Sequence, residues 1–260
     1  MSHNPSLPIY DRPTFFNNYL TLPRSQKGLD GAPGWPKLRE MVGDVAAETV
    51  LDLGCGLGWF SRYAAQSGAA SVIASDISNR MIERAKEMTA QEAFGTKIEY
   101  GVKDLNDGLG ADGGKEKYDL VYSSLALHYL PNESVARLLK EIFASIKPGG
   151  RFVFSIEHPI FTSPSNPVPT TLPDGREIWP FDSYGNESIR ETSWMGGVTK
   201  YHRTMQTYLK SLIDAGFVLK DLVEWLASGV DVNTMFPEWS IEKERPMFLL
   251  VKVEKPSSGH

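Results

Sequence analysis

The run Val50-Leu51-Asp52-Leu53-Gly54-Cys55-Gly56-Leu57-Gly58-Trp59-Phe60 constrains this chain more than any other stretch. Val50 to Leu53 is mostly apolar and too short for a helix, so it is expected to form a buried strand. A glycine-dense bend follows, and from Trp59 the apolar spacing turns helical. Strand, glycine bend and helix in this order leave a crevice where a ligand meets bare backbone N–H groups. Glycine is needed there because a Cβ would hold the ligand off and forbid positive φ.

Gly54 and Gly56 match the first two positions of G-x-G-x-x-G, but the third falls on Trp59, and an indole is a poor substitute where helix and strand must pack closely. Asp52 instead precedes the bend and Gly58 closes it. The alternation then runs on. Trp59 to Ser67 is expected to be a helix stopped by Gly68, and Ser71 to Ser75 a second strand ending in Asp76. Ser78 caps a helix with Met81, Ile82, Ala85 and Met88 on one face. Ile98 to Val102 makes a third strand and Tyr118 to Ser124 a fourth, with a polar loop and a weak helical turn over Asn106 to Lys117. Asn132 is expected to cap a helix that stops at the turn Lys147-Pro148-Gly149-Gly150, and Arg151 to Ile156 makes the fifth strand. Strands alternating with helices imply an α/β fold, a parallel sheet with helices on both faces. Ligands of such sheets bind beyond the carboxyl ends of the strands, where Gly54, Asp76, Asp104 and Ser123 all fall.

The flanks are less regular. In residues 1–49, Thr14 to Leu20 and Pro36 to Val42 are expected to be short helices, the second with proline in its first turn. Residues 158–200 break the rhythm with prolines from Pro159 to Pro180 among Phe161, Trp179, Phe181, Tyr184 and Trp194. Long irregular connections are uncommon unless functional or disordered, and this one carries too many aromatics for a linker, so a cap over the strand ends is expected. Tyr201 to Ala215 is expected to be a helix, and Phe217 to Glu224 and Met247 to Val253 two last strands, so that residues 201–255 complete the core begun by 50–157.

Net charge −5 with no long run of one sign argues against a nucleic-acid partner. Met1 to Pro5 lacks the basic and apolar regions of a signal peptide, and no apolar run approaches the roughly 20 residues of a membrane span. The single cysteine, Cys55, excludes internal disulfides and a cysteine-rich metal site, and no other metal-ligand spacing is visible. A cytoplasmic protein without a membrane partner is expected, as monomer or homodimer.

Asp52-x-Gly54-x-Gly56-x-Gly58 at the end of a first strand resembles motif I of the class I S-adenosylmethionine-dependent methyltransferases. Asp104-Leu105, the segment Tyr118 to Tyr129 and the Lys147 to Phe152 turn resemble later motifs of that family in the same order. The resemblance covers residues 50–157. It implies a Rossmann-like sheet of seven mostly parallel strands with an antiparallel last strand, and a cap inserted after the fifth. It also implies residues 1–49 as a helical lid, for which the alternative is a packing extension, and S-adenosyl-L-methionine as cofactor with a small-molecule acceptor.

Asp76 at a strand end can accept hydrogen bonds from both ribose hydroxyls, unless it only stabilises the helix capped by Ser78. The resemblance puts the adenine amine on Asp104 and the ring against Leu105, with Ile77 and Met81 as apolar contacts. Asp52 would fix the bend or reach the methionyl ammonium through water. Arg24 is the candidate for the cofactor carboxylate by bidentate pairing, and Tyr19, Gly54, Cys55, Gly56 and Ser123 complete the expected cofactor contacts. A sulfonium methyl is already activated, so alignment and exclusion of water carry most of the catalysis. Where a base is needed, His128 and His158 at the fourth and fifth strand ends are candidates and His202 a third; each is otherwise a hydrogen-bonded structural histidine. Arg176, Arg190, Lys200 and Arg203 near the cap would suit a carboxylated acceptor. The competing functions are a non-catalytic S-adenosylmethionine-binding partner or regulator, and a nicotinamide oxidoreductase, against which Trp59 speaks.

Overall fold

A computed structural model of the chain describes residues 8–32, 34–228 and 243–257. Three helices, Pro13–Leu20 (α1), Pro23–Gln26 (α2) and Trp35–Val42 (α3), precede the sheet. Then come Thr49–Leu53 (β1), Trp59–Gln66 (α4), Ser71–Asp76 (β2), Asn79–Thr89 (α5), Ile98–Val102 (β3), Tyr118–Ser124 (β4), Asn132–Ser145 (α6) and Ile146–Glu157 (β5). Pro159–Thr162 (α7) opens the inserted segment, which holds Thr170–Thr171 (β6), Glu177–Ile178 (β7), Ile189–Thr192 (β8) and Val198–Tyr201 (β9). Met205–Ala215 (α8), Val218–Trp225 (β10) and Phe248–Glu254 (β11) end the described chain.

Seven strands form one sheet in the order β10-β11-β5-β4-β1-β2-β3. β1 runs parallel to β2 and β4, β2 to β3 and β4 to β5, while β11 lies antiparallel between β5 and β10. The two-residue period of the strands sorts the core into two layers. Leu51, Leu53, Val121, Phe152 and Phe154 turn to the face covered by Leu138 and Ile142 of α6 and Leu212 of α8. Val50, Leu120 and Val153 turn to the other face, under Leu38 and Val42 of α3 and Phe60 and Ala64 of α4. The expected Rossmann-like sheet with an antiparallel last strand is therefore present. Among the described residues no helix is long and apolar enough to cross a membrane.

Several local expectations are corrected. Asn132 does not cap α6; it is the first helical residue after Pro131, and no side chain caps that end. The Lys147-Pro148-Gly149-Gly150 run is not a loop after α6 but an irregularity within β5. Pairing jumps there from Tyr118 with Ile146 to Leu120 with Arg151. A Cβ on Gly150 would lie 2.9 Å from the Asp119 carbonyl oxygen, so glycine lets the displaced backbone pass close to its neighbour. Tyr201 ends a strand, and α8 starts at Met205, where the Thr204 hydroxyl accepts from Thr207 N–H. The segment expected as an irregular cap holds two short hairpins, β6–β7 and β8–β9. Most of the connection expected between the last two strands lies outside the described residues.

The N-terminal segment reaches the sheet edge through Asp11. Its Oδ1 accepts from Ser78 Oγ at 2.5 Å and from Arg80 N–H at 3.0 Å, while Ser78 Oγ accepts from Met81 N–H at 3.1 Å. One helix N-terminus is thus closed by its own serine and by an acid on a different segment. Asp11→Ala and Ser78→Ala are each expected to cost about 1–2 kcal/mol. Because the two side chains share one bond, the double variant should cost less than the sum of the singles in urea melts; strict additivity would refute the link.

Candidate active site

The bend after β1 is fixed from the neighbouring strand. Gly54 and Cys55 N–H both donate to the Ser75 carbonyl, at 2.8 and 2.9 Å. Gly54 adopts φ +72°, and a Cβ on it would lie 2.6 Å from Ala126 Cβ. Over Gly56, at φ +52°, the nearest atom to such a Cβ is the Tyr19 hydroxyl at 4.0 Å, so space lies open above the bend.

Asp76, at the end of β2, accepts from Gly56 N–H and from Ser78 N–H, one on each carboxylate oxygen and both at 2.9 Å. Burial pushes its pKa up, and the two backbone donors only partly offset that rise. Each oxygen keeps lone pairs for a further donor. Asp76 lines a cavity of about 160 Å³ together with Tyr19, Ile77, Met81, Asp104 and Leu105. Asp104 turns its carboxylate onto Asn106 N–H at 2.8 Å, and Asn106 Oδ1 in the same wall is buried with no hydrogen-bond donor among the described residues. A paired acid beneath the bend and an orphaned acceptor near Leu105 suit a nucleoside carrying a vicinal diol and an exocyclic amine.

On the other side of Gly54 and Gly56 the space continues as a cavity of about 110 Å³, walled by Asp52, Cys55, Trp59 and Ser124. Asp52 is 2% exposed and accepts from Ser61 Oγ of α4 at 2.6 Å. Burial pushes its pKa up to about 7, with the Ser61 bond working against the rise and the Asp76 charge adding to it. Arg24 lines both cavities and stands 5.1 Å over the Tyr19 ring, with no hydrogen bond or ion pair among the described residues. Trp59 Nε1 is likewise buried without an acceptor.

Of the residues singled out in the sequence, Ser123 is not brought to these walls. It is fully buried, its hydroxyl donating to the Leu53 carbonyl at 2.9 Å to staple β4 to β1, and Ser124 lines the cavities in its place. Alternation along a strand means that a one-residue slip exchanges wall for core.

A third cavity, of about 320 Å³, adjoins the first two; Arg24 and Leu125 line all three. Aromatic side chains dominate it: Tyr129, Phe161, Trp179 and Trp194, with Phe161 and Trp179 stacked at 5.0 Å. Its charged and imidazole side chains are Arg24, His128, Glu157 and Lys200. Lys200 Nζ, on β9, donates to Glu157 Oε1 at 2.5 Å, and both side chains are largely buried. Burial opposes the charge on Glu157, but Lys200 foremost, with Arg24 adding to it, outweighs that and holds the carboxyl below its usual range.

The three histidines separate. His128 lines the third cavity at 1% exposure, and burial, reinforced by Lys200, Arg203 and Arg24 against Glu157, pushes its pKa down to about 3. Its Nδ1 accepts from Glu157 N–H at 3.5 Å, which puts the ring hydrogen on Nε2. His158 lines none of the three cavities. Its Nδ1 caps α7 by accepting from Ile160 N–H, and its Nε2 lies 2.9 Å from Glu224 Oε1. His202 is held between Thr162 Oγ1 and the Tyr184 carbonyl.

Among the arginines, Arg176 pairs with Asp174 in the open, and Arg190 and Arg203 hold backbone carbonyls. Tyr10, Asn106 and Glu157 stand in the walls unmarked by sequence motifs; the one cue to Asn106 is its place directly after Asp104-Leu105.

Residues 50–150 match the family model of a methyltransferase domain. An S-adenosylmethionine-dependent methyltransferase from Mesorhizobium loti is 41% identical and superposes with a TM-score of 0.78, covering 88% of this chain and 100% of its own. An uncharacterized protein of Haemophilus influenzae is 27% identical over 259 residues, 97% of this chain and 98% of its own. A chloroplastic tocopherol O-methyltransferase of Arabidopsis thaliana is 34% identical over 104 residues, 40% of this chain but 28% of that protein.

The raised pKa of Asp52 has a direct consequence for stability. Its folded value near 7 lies above the unfolded value of about 3.9, so the folded state binds the extra proton between them, and stability falls as pH rises through that window. Asp52→Asn keeps an acceptor for Ser61 and removes the charge. Relative to the wild type it is expected to gain roughly 1–3 kcal/mol between pH 4 and pH 8. Denaturant melts across that range check it, and a constant difference between the two proteins would contradict it.

Proposed function

Because the chain belongs to the S-adenosylmethionine-dependent methyltransferases and takes S-adenosylmethionine as its cofactor, we propose that it methylates a small molecule held in the aromatic cavity beneath the 158–200 segment. The adjoining cavities carry this proposal: Arg24, Leu125 and Tyr129 stand in the walls of both the 160 Å³ and the 320 Å³ spaces, so two ligands would meet there.

The bound cofactor supplies a methyl group already activated on a sulfonium. The protein's part is to bind, orient and exclude water. Asp76 takes the ribose hydroxyls on the lone pairs that Gly56 and Ser78 leave free. Asp104 and Asn106 take the adenine amine, and Leu105, Ile77 and Met81 supply apolar contact. Arg24 takes the carboxylate, and Asp52, in the wall of the 110 Å³ space, ties the end of β1 to α4 through Ser61. Tyr129, Phe161, Trp179 and Trp194 keep the acceptor space apolar. His128, neutral and with its hydrogen on Nε2, is a hydrogen-bond donor there and not a base.

Calorimetry should show S-adenosylhomocysteine binding to the folded protein and NADH failing to bind. Asp76→Ala should weaken that binding by about tenfold or more, the value of a charge-assisted pair lost from a buried site. Tight NADH binding, or an Asp76→Ala protein with undiminished affinity, would defeat the assignment. Labelled methyl transfer into a metabolite mixture separates an enzyme from a silent binder.

A further inference from the structure

Glu157 ends β5 and is the one carboxylate in the wall of the aromatic cavity among the described residues. Its Oε1 is taken by Lys200 at 2.5 Å, but its Oε2 is buried and has no hydrogen-bond donor among the described residues. An ionised carboxylate has about four acceptor sites, and leaving a buried oxygen unfilled is costly. Oε1 answers the buried Lys200 ammonium, but that pair leaves Oε2 unfilled on the side of Phe161, Trp179 and Trp194. A molecule entering the cavity with an O–H or N–H would supply the missing donor.

Charge narrows what that is. A cationic acceptor would face Lys200 and Arg24 against a single carboxylate that is already paired. An anionic one would be set against Glu157 itself. With Arg24 committed to the cofactor's carboxylate, Lys200 and Glu157 remain as a closed pair in the wall, and Arg245 stands 4.7 and 4.0 Å over the Phe161 and Trp179 rings. Its volume of about 320 Å³ sits at the low end for ligand pockets, and Tyr129, Phe161, Trp179 and Trp194 make its wall largely aromatic, suited to a small acceptor.

Resting on the methyltransferase assignment above, we infer that Glu157 receives the hydrogen of the acceptor's nucleophilic O–H or N–H and thereby selects small aromatic acceptors that carry such a hydrogen. As the heteroatom's lone pair bonds to the methyl carbon, the C–S pair stays on sulfur, and the heteroatom's proton passes to Glu157 Oε2. Atoms and charge balance: the sulfonium becomes a neutral thioether, the acceptor its neutral methyl derivative, and the carboxylate a carboxylic acid that afterwards yields its proton to water. Lys200 keeps Glu157 ionised before the step. His128 cannot take the proton, because Nδ1 is engaged by Glu157 N–H and Nε2 already carries hydrogen.

The test uses the full chain saturated with S-adenosylhomocysteine and two probes of one ring each, phenol and anisole, which differ in the donating hydrogen. Binding of each is measured by ligand-observed NMR titration. The wild type is expected to prefer phenol by about tenfold or more, and Glu157→Gln to lose most of that preference while still binding S-adenosylhomocysteine. Should the single variant fail to melt cooperatively, the pair Glu157→Gln with Lys200→Met, which leaves no lone buried charge, takes its place. Equal affinity for phenol and anisole in the wild type, no binding of either, or a preference that survives the substitution overturns the role of Glu157. Failure of the wild type to bind S-adenosylhomocysteine at all would instead overturn the methyltransferase assignment, so the two are told apart.

Discussion

The site depends on one carboxylate shared between two segments. Asp76 bonds the bend that follows β1 through Gly56 and the start of α5 through Ser78, so a single side chain sets the distance between bend and helix. Strand pairing alone could not do this. It ends at Leu53 with Ser75, and the bend beyond needs donors and acceptors of its own. The Ser75 carbonyl takes two N–H groups from the bend and the Asp76 carboxylate a third. A dry crevice lined by backbone N–H groups would be unstable without such partners, and because two acceptors fill that need, the bend holds its shape without a ligand.

The same economy of acids recurs along the sheet edge, with a different result at each strand. Asp52 of β1 turns inward to Ser61, where burial makes its neutral form competitive near pH 7. Asp76 at the end of β2 and Asp104 after β3 bond the backbone of the next turn and stand in the wall of the 160 Å³ cavity instead of in the core. Glu157 at the end of β5 meets no backbone donor and takes a lysine from the inserted segment. One residue class at equivalent strand ends thus bonds a helix hydroxyl, the backbone of the next turn or a distant lysine, according to the nearest donor.

Residues 50–157 were legible because their apolar residues repeat with strand and helix periods and because Ser78 and the glycines punctuate them. What failed there failed on detail that period cannot carry. Ser123 and Ser124 are equivalent in composition, and only the pleat decides that the first staples Leu53 and the second meets the cavity. Proline and glycine at Pro148 to Gly150 look like a loop, yet pairing with Tyr118 before them and Leu120 after them keeps the backbone in the sheet. His158 looked like a base from its place at a strand end, but Glu224 and Ile160 occupy both ring nitrogens. Glu157 carried no signal because its partner lies 43 residues on, across hairpins without a distinctive pattern.

Arginines in and just after the inserted segment explain how that distant partner is delivered. Arg190 spends its guanidinium on the carbonyls of Ser163, Ser183 and Asn186, which gathers the two ends of the inserted segment around one buried charge. Arg203, two residues past β9, bonds the carbonyls of Leu127 and Leu130, which bracket His128 and Tyr129. Lys200 lies on the strand between these two anchors, so its approach to Glu157 follows from bonds that no acceptor molecule has to supply. Trp194 packs edge-on to Phe15 of α1 at 5.8 Å, and Tyr10 Oη donates to Tyr129 Oη at 3.2 Å, joining the N-terminal segment to the same wall. Inserted segment, N-terminal segment and strand ends are therefore joined by hydrogen bonds and ring contacts, and the order of the polar groups is set by the protein's own bonds. Preorganisation of that kind is what a reaction governed by alignment requires, since the activated methyl group needs a correctly placed partner more than it needs further activation.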